Sequence, residues 1–358
     1  MFNNDGQHPG SHTWNELISQ GEVWQAVLSQ LDSSSTVETI LTSCRKSSEW
    51  VFVGCGTSYY LAEAAALSWT TLTGQRAMAL PASEILLFPK SIQAGGKGTQ
   101  AVVISRSGKT SEAVRVARVL VRQLHVPTIG ITCAQGSPLE KECDRTIILQ
   151  AADEQSTVMT RSFTSMLISL QYLAARHANN RAFVEQLAKA AQHISQHVHK
   201  IALDIERFVA DHSFDDYIFL GQGPWHGIAR EGALKVMEMS CSYSQVFHTL
   251  EFRHGPKAIV SENTCLFFFL DSAGLEAESE VLIEMKALGG VIVAIGNRVT
   301  EQVRSHCDLV IVIDAGLSDL ALLAACTVPC QLMGFFTGLG KGLNPDAPKN
   351  LSRVVILD

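Results

Sequence analysis

The chain predicts an α/β protein made of two doubly wound parallel-sheet αβα sandwiches in tandem. Three observations carry that expectation. Short, continuous apolar runs rich in Val and Ile recur along it, as parallel strands buried on both faces require. Segments of helical period separate these runs, and strand–helix alternation with right-handed crossovers gives the doubly wound sandwich. The runs also repeat. WVFVGCGTS at 50–58 resembles YIFLGQGPW at 217–225, and AVVIS at 101–105 resembles CLFFF at 265–269. TIGIT at 128–132 resembles VIVAI at 291–295, and RTIIL at 145–149 resembles DLVIV at 308–312. The four offsets are 167, 164, 163 and 163 residues, which favours a duplicated unit over chance similarity.

Taken in order, helices are expected at 14–31 and 37–45, ahead of the first sheet. A helix at 58–72 follows the first strand, one at 110–124 follows the second, and a turn of helix at 137–143 precedes the fourth. Helices at 161–177 and 181–210 bridge the halves; His193, His197 and His199 on the longer one read as a solvated face. The second unit repeats the pattern with helices at 224–239, 275–288 and 302–306, and 319–339 closes it. Gly340, Gly342, Pro345 and Pro348 disfavour regular structure beyond 340. The apolar residues at 354–357 can pack as a strand or a clamp, so the tail is either a lid over a site or a plain polar C-terminus. The expected domains are N-terminal helices at 1–46, a first sandwich at 47–180, a linker helix at 181–212, a second sandwich at 213–340 and a tail at 341–358.

Bulk properties narrow the function. A chain of 358 residues exceeds what one core usually supports, and 46 % hydrophobic with 18 % charged residues describes a well-buried protein. The net charge of −7 and the lack of a Lys/Arg stripe argue against nucleic acid. No apolar run is expected to reach the ~18 residues of a membrane span, and the polar stretch at 1–12 lacks a secretion signal, so a cytoplasmic protein is expected. The nine cysteines are scattered without a CxxC pair and read as reduced core thiols. His193 and His197 are four apart but no HExxH accompanies them, so no metal is expected.

Two turns carry anion chemistry. Ser105-Arg106-Ser107-Gly108-Lys109-Thr110 packs three hydroxyls at a strand end, where Gly108 permits positive φ and Thr110 can cap the next helix. An N-cap turn alone explains one hydroxyl well and three poorly. Gly54-Cys55-Gly56-Thr57-Ser58 lies at what should be a neighbouring strand end. Together they offer backbone N–H groups, hydroxyls and two helix N-termini to one anion, so a phosphate is expected there. The duplicate of the Ser-rich turn is Leu270-Asp271-Ser272, whose acid repels phosphate. The second unit instead offers Glu231, Lys235 and Glu238, spaced i, i+4, i+7 on one helix stripe with apolar flanks. That stripe is either partly buried, which separates carboxylate pKa values, or a surface salt-bridge ladder. His254, in a turn before Gly255-Pro256, can move protons near neutral pH, although a loop His can equally be structural.

Six strings in the same order, GCGTS at 54–58, SRSGKT at 105–110, TRSFT at 160–164, EGALKVME at 231–238, EFRHGP at 251–256 and NPDAPKNL at 344–351, resemble tandem sugar-isomerase (SIS) domains of flavodoxin-like fold. Such domains form the isomerase half of glucosamine-6-phosphate synthase and the SIS-type glucosamine-6-phosphate deaminases. The resemblance implies that Thr57, Ser58, Ser105, Arg106, Ser107 and Thr110 bind a sugar 6-phosphate. It implies that Gly56, Thr160 and Arg353 frame the sugar, and that Glu238 moves a proton between C1 and C2. His254 then opens the ring from a neighbouring subunit of a homodimer, with Glu231 and Lys235 in support. Arg106 stands where synthases often have Gln, and Val158-Met159 replace smaller residues. Phe2 follows Met1, so the synthases' glutaminase Cys has no counterpart and glutamine is not the expected nitrogen source. Arg353 stands where the synthase tail has a Lys, and a guanidinium is a very poor imine former.

The expected reaction is deamination of an amino-aldose 6-phosphate, foremost glucosamine 6-phosphate, to fructose 6-phosphate and ammonia. No cofactor is needed, because the open-chain carbonyl already acidifies the C2 proton. Alternatives are ketose–aldose isomerisation without nitrogen loss on a tagatose- or galactosamine-type phosphate, deglycation of a fructosamine-type phosphate, and a non-catalytic phosphosugar sensor.

Overall fold

A computed structural model describes residues 8–90, 98–313 and 315–357; the rest of the polar start, residues 1–7, lies outside them. The first sheet comprises β1 (Glu49–Gly54), β2 (Arg76–Pro81), β3 (Thr99–Ile104), β4 (Thr128–Thr132) and β5 (Arg145–Ile148), in the order β2-β1-β3-β4-β5. The second comprises β6 (Asp216–Leu220), β7 (Tyr243–Phe247), β8 (Thr264–Leu270), β9 (Val291–Gly296) and β10 (Leu309–Val312), in the order β10-β9-β8-β6-β7. All ladders are parallel, and read from β7 the second sheet follows the same path as the first. The two α/β sandwiches expected from the sequence are therefore present.

The central strands form because they are apolar beyond their first residues, and every residue of β3 and of β8 is buried. Val51, Val53, Ala101 and Val103 pack with Ala113, Val116 and Leu120 in one core. Ile218, Leu220, Leu266 and Phe268 pack with Val281, Leu282 and Met285 in the other. β2 and β7 were not expected. Both are edge strands, only partly buried; RAMALP has no β-branched residue and YSQVF is broken by Ser244 and Gln245. They complete the duplication, since Arg76 and Tyr243 open corresponding strands.

Both halves also make the same strand-to-helix turn. Gly56 (φ 53°, ψ −126°) leads into the helix Thr57–Thr73, and Gly223 (φ 54°, ψ −130°) leads into the helix Pro224–Ser240. Only Gly adopts that backbone readily, which fixes the residue twice.

Several helix boundaries differ from expectation. The helix expected at 14–31 is two, Ser11–Ile18 and Gln20–Asp32. The first starts early because the tail caps it: Thr13 N–H and Oγ1 both donate to Asp346 Oδ1 at 2.7 Å, and Gly10 N–H donates to Asn344 Oδ1 at 2.9 Å. The helix expected at 110–124 is the helix Ser111–Arg118, continued by the wider turn Val119–Gln123. The helix at 319–339 opens with a 3₁₀ turn, Asp319–Leu322, before Leu323–Gly340. Contrary to expectation, this segment is long and apolar enough to cross a membrane, with a mean hydropathy of 1.7, but 94 % of that window is buried within the chain. Residues 354–357 form no strand.

The chain divides into two compact units. The first-sheet unit holds Glu22–Glu154, Arg161–Ala188 and Ser352–Asp358. The second-sheet unit holds Met1–Gly21, Gln155–Thr160 and Lys189–Leu351.

Candidate functional site

In the first-sheet unit, β1 and β3 are adjacent parallel strands, with Val53 opposite Val103, and β2 lies on the other side of β1. The connection order reverses between β1 and β3. Such a switch point leaves a crevice at the carboxyl ends of the strands, where ligands of this fold class bind. The turn 54–58 and the turn 105–110 leave those two ends. Neither helix that follows has a side-chain N-cap: Gly56 has none to offer, and Thr110 makes no capping bond. The Thr110 hydroxyl accepts from Ser105 Oγ at 3.4 Å instead of capping the helix, which corrects that expectation.

The turn is held from behind. Cys133 N–H and Thr132 Oγ1 donate to the Arg106 carbonyl at 2.9 and 3.0 Å, and Leu139 N–H donates to the Gly108 carbonyl at 2.9 Å. Gly108 has φ 60°, and a Cβ there would fall on the Ser137 side chain. Thr57, Ser58 and Ser105 are buried, Ser107 is half-buried and Lys109 is exposed. Burial, with Glu112 adding, pushes the Cys55 thiol up to about 12, so it stays protonated.

Arg106 is also buried, and its guanidinium points to a carboxylate. Nη1 lies 3.1 Å from Glu154 Oε2, with the two side chains 4 % and 0 % exposed. Glu154 in turn accepts from the backbone N–H and hydroxyl of Ser162, so it also caps the helix Arg161–His177. Nothing in the spacing of residues 106 and 154 signals this pair; only the parallel β3–β4–β5 arrangement does.

In the second-sheet unit the helix Pro224–Ser240 carries the expected triad on one face. Glu231 and Lys235 are fully buried. Lys235 Nζ lies 3.6 Å from Glu231 Oε1 and also bonds Glu238 Oε2. Glu238, with 18 % of its side chain exposed, is the one member open to solvent. The surface-ladder alternative is thereby excluded: Gly334 of the buried helix Leu323–Gly340 packs against the Lys235 backbone. An ammonium between two carboxylates offsets the cost of burying all three groups.

His254 is exposed, in a turn where Gly255 has φ 126°. The turn is pinned by its neighbours, Arg253 at 2.9 Å and Lys257 at 2.5 Å from the Glu284 carboxylate. Thr160 is buried in this unit, its carbonyl accepting from Gln331 Nε2 at 3.1 Å.

At the second switch point, between β6 and β8, the chemistry is acidic. Asp271 accepts from Trp225 Nε1 at 2.7 Å, and its N–H donates to Glu278 at 2.9 Å. Glu278 is 1 % exposed, and burial beside Asp271 and Asp319 raises it to about 7. The sequence singled out Asp271 alone. His226 and His248, also unanticipated, stack at 4.0 Å; burial, His248 and Arg230 lower His226 to about 4. On the long helix Arg181–Asp211, His193 and His197 are half-buried and stacked at 4.1 Å rather than simply solvated. Among the described residues no His, Cys, Asp and Glu group is arranged to hold a metal.

A family model described as SIS domain matches residues 43–176 and 215–337. The chain is 24 % identical over 347 residues to the glutamine–fructose-6-phosphate aminotransferase (isomerizing) of Methanothermobacter thermautotrophicus, covering 94 % of this chain and 54 % of that protein. It is 28 % identical over 268 residues to the enzyme of the same name from Caldanaerobacter subterraneus, covering 72 % of this chain and 44 % of that protein. The chain thus spans about half the length of these curated relatives. Among solved structures, glucosamine-6-phosphate deaminase from Thermotoga maritima superposes with a TM-score of 0.79 at 29 % identity, covering 97 % of this chain and 100 % of that one. Tagatose-6-phosphate ketose/aldose isomerase from Escherichia coli superposes with a TM-score of 0.83 at 21 % identity, covering 98 % of each chain, a likeness of fold.

Proposed function

Because the chain belongs to the SIS-domain family, we propose that it is a phosphosugar-converting enzyme that deaminates an amino-aldose 6-phosphate, foremost glucosamine 6-phosphate. The observation that carries the reading is the pair of uncapped helix N-termini, surrounded by hydroxyls, at the first switch point. An anion there meets the positive ends of two helix dipoles that no side chain caps. Thr57, Ser58, Ser105, Ser107 and Thr110 supply the hydroxyl donors for the phosphate. Gly56, Thr160 and Arg353 frame the sugar.

His254 assists ring opening. Glu238 takes the proton from C2 of the open-chain aldose and returns it at C1, turning the C2 amine into an imine. Water adds at C2 and ammonia leaves, so substrate plus water becomes ketose 6-phosphate plus ammonia. Lys235, pinned by Glu231, holds the Glu238 carboxylate in place. In the proposed assembly, a cytoplasmic homodimer, His254 serves the partner's site, and its exposure suits that role.

The test is a panel of hexosamine and hexose 6-phosphates scored separately for ammonia and ketose. Ammonia released with ketose supports deamination. Ketose without ammonia assigns the isomerase reaction, which uses the same proton shift. A raised melting temperature with glucosamine 6-phosphate and no turnover makes the protein a sensor.

A further inference from the structure

The C-terminal residues 352–357 belong to the first-sheet unit and are held there almost wholly by polar bonds. Ser111 N–H donates to the Val355 carbonyl at 3.2 Å, and Leu357 N–H donates to Ser111 Oγ at 2.9 Å. Arg115 Nη2 donates to the Leu357 carbonyl at 3.3 Å. These bonds lay the tail across the first turn of the helix Ser111–Arg118, directly after the phosphate turn. The apolar side chains add little, since Val355, Ile356 and Leu357 are 51 %, 70 % and 45 % exposed. A strap that buries so little apolar surface depends on its hydrogen bonds and charges.

The charges converge on Arg106. While Nη1 faces Glu154, Nη2 donates to the carbonyl of Arg353 at 3.2 Å. Arg353 reaches back: its Nη2 lies 2.8 Å from Asp153 Oδ1 and also donates to the Glu154 carbonyl. The Arg106 carbonyl is already fixed by Cys133 and Thr132. One residue between Ser105 and Ser107 therefore joins the phosphate turn, a buried carboxylate and the tail.

We propose that Arg106 is a positioning residue, its guanidinium fork latching the C-terminal tail to the phosphate turn, and that Arg353 is the tail's half of that latch. The geometry turns the side chain toward Glu154 and the tail, so it acts through them. By linkage, a phosphate that orders Ser105 and Ser107 tightens the tail, and a docked tail tightens the phosphate. The coupling to phosphate rests on the function proposed above; the latch itself does not.

Lysine separates the two arms. It can keep one contact with Glu154 but cannot fork to a second partner. Hydrogen exchange on the full-length protein without ligand should show the Ser111 and Leu357 amides exchanging about tenfold faster or more in Arg106→Lys, with the melting temperature little changed. Arg353→Ala, which leaves the buried pair intact, should free the same amides, and the double variant should be no worse than the single ones. With glucosamine 6-phosphate as probe, Arg106→Lys should raise KM about tenfold, more than it lowers kcat. Unchanged tail exchange in Arg106→Lys, or strictly additive effects in the double variant, overturns the latch. A wild-type protein that ignores every sugar phosphate sinks the proposed reaction but leaves the exchange result to decide the latch.

Discussion

The two sheets follow one path and turn into their first helices through glycines of nearly identical backbone, yet their switch points have opposite chemistry. The first is lined by Ser105, Ser107, Thr110, Thr57 and Ser58, and the second by Asp271, Glu278 and Asp319. The fold was duplicated and the chemistry was not. Strand register and the Gly turn are set by backbone sterics, which tolerate any side chain at the crevice. The crevice residues were thus free to diverge: one half has a hydroxyl-rich turn, and the other carries a buried Glu–Lys–Glu helix.

That division can be attacked from either side. Glu238→Gln should cost the largest effect, about 10²–10⁴-fold in turnover, with phosphate affinity nearly unchanged. Steady-state kinetics with glucosamine 6-phosphate, set beside inorganic phosphate binding, checks it; full activity in the variant would remove the second unit from the chemistry. Lys235→Met leaves the Glu231 carboxylate buried without its ammonium and should lower stability by about 3–5 kcal/mol in a denaturant titration. Adding Glu231→Gln should recover most of that loss.

The acidic crevice should appear as a pH effect. Burial holds the Glu278 carboxyl at about 7 in the folded chain, above the ordinary value of 4.5. Its stabilising contribution is complete below about pH 4.5 and is lost as pH rises through about 7, a change of up to about 3 kcal/mol. Glu278→Gln should flatten the melting temperature across that window and raise it at pH 8. A variant with the wild-type profile would show that another group titrates there. The smallest change is Ser105→Ala, which removes one donor to a charged ligand and should raise KM about tenfold with kcat largely kept. A cut in the matching turn of the other half, Ser272→Ala, should leave KM alone, and an equal rise in both would erase the contrast between the halves.

The sequence by itself determined the two sandwiches, because short apolar runs buried on both faces alternate with segments of helical period and recur at a near-constant offset. It also determined which turns bear hydroxyls and which helix face bears Glu231, Lys235 and Glu238, since a 3.6-residue period places them together without tertiary help. Edge strands β2 and β7 stayed hidden because half-exposed strands need no hydrophobic pattern. Only the tertiary structure decided that this face is buried, that Glu278 holds a proton near neutrality, and that Arg106 meets Glu154 and the tail. Charge and hydrogen bonding depend on distance through space, and the partners here lie 48 and 247 residues apart along the chain.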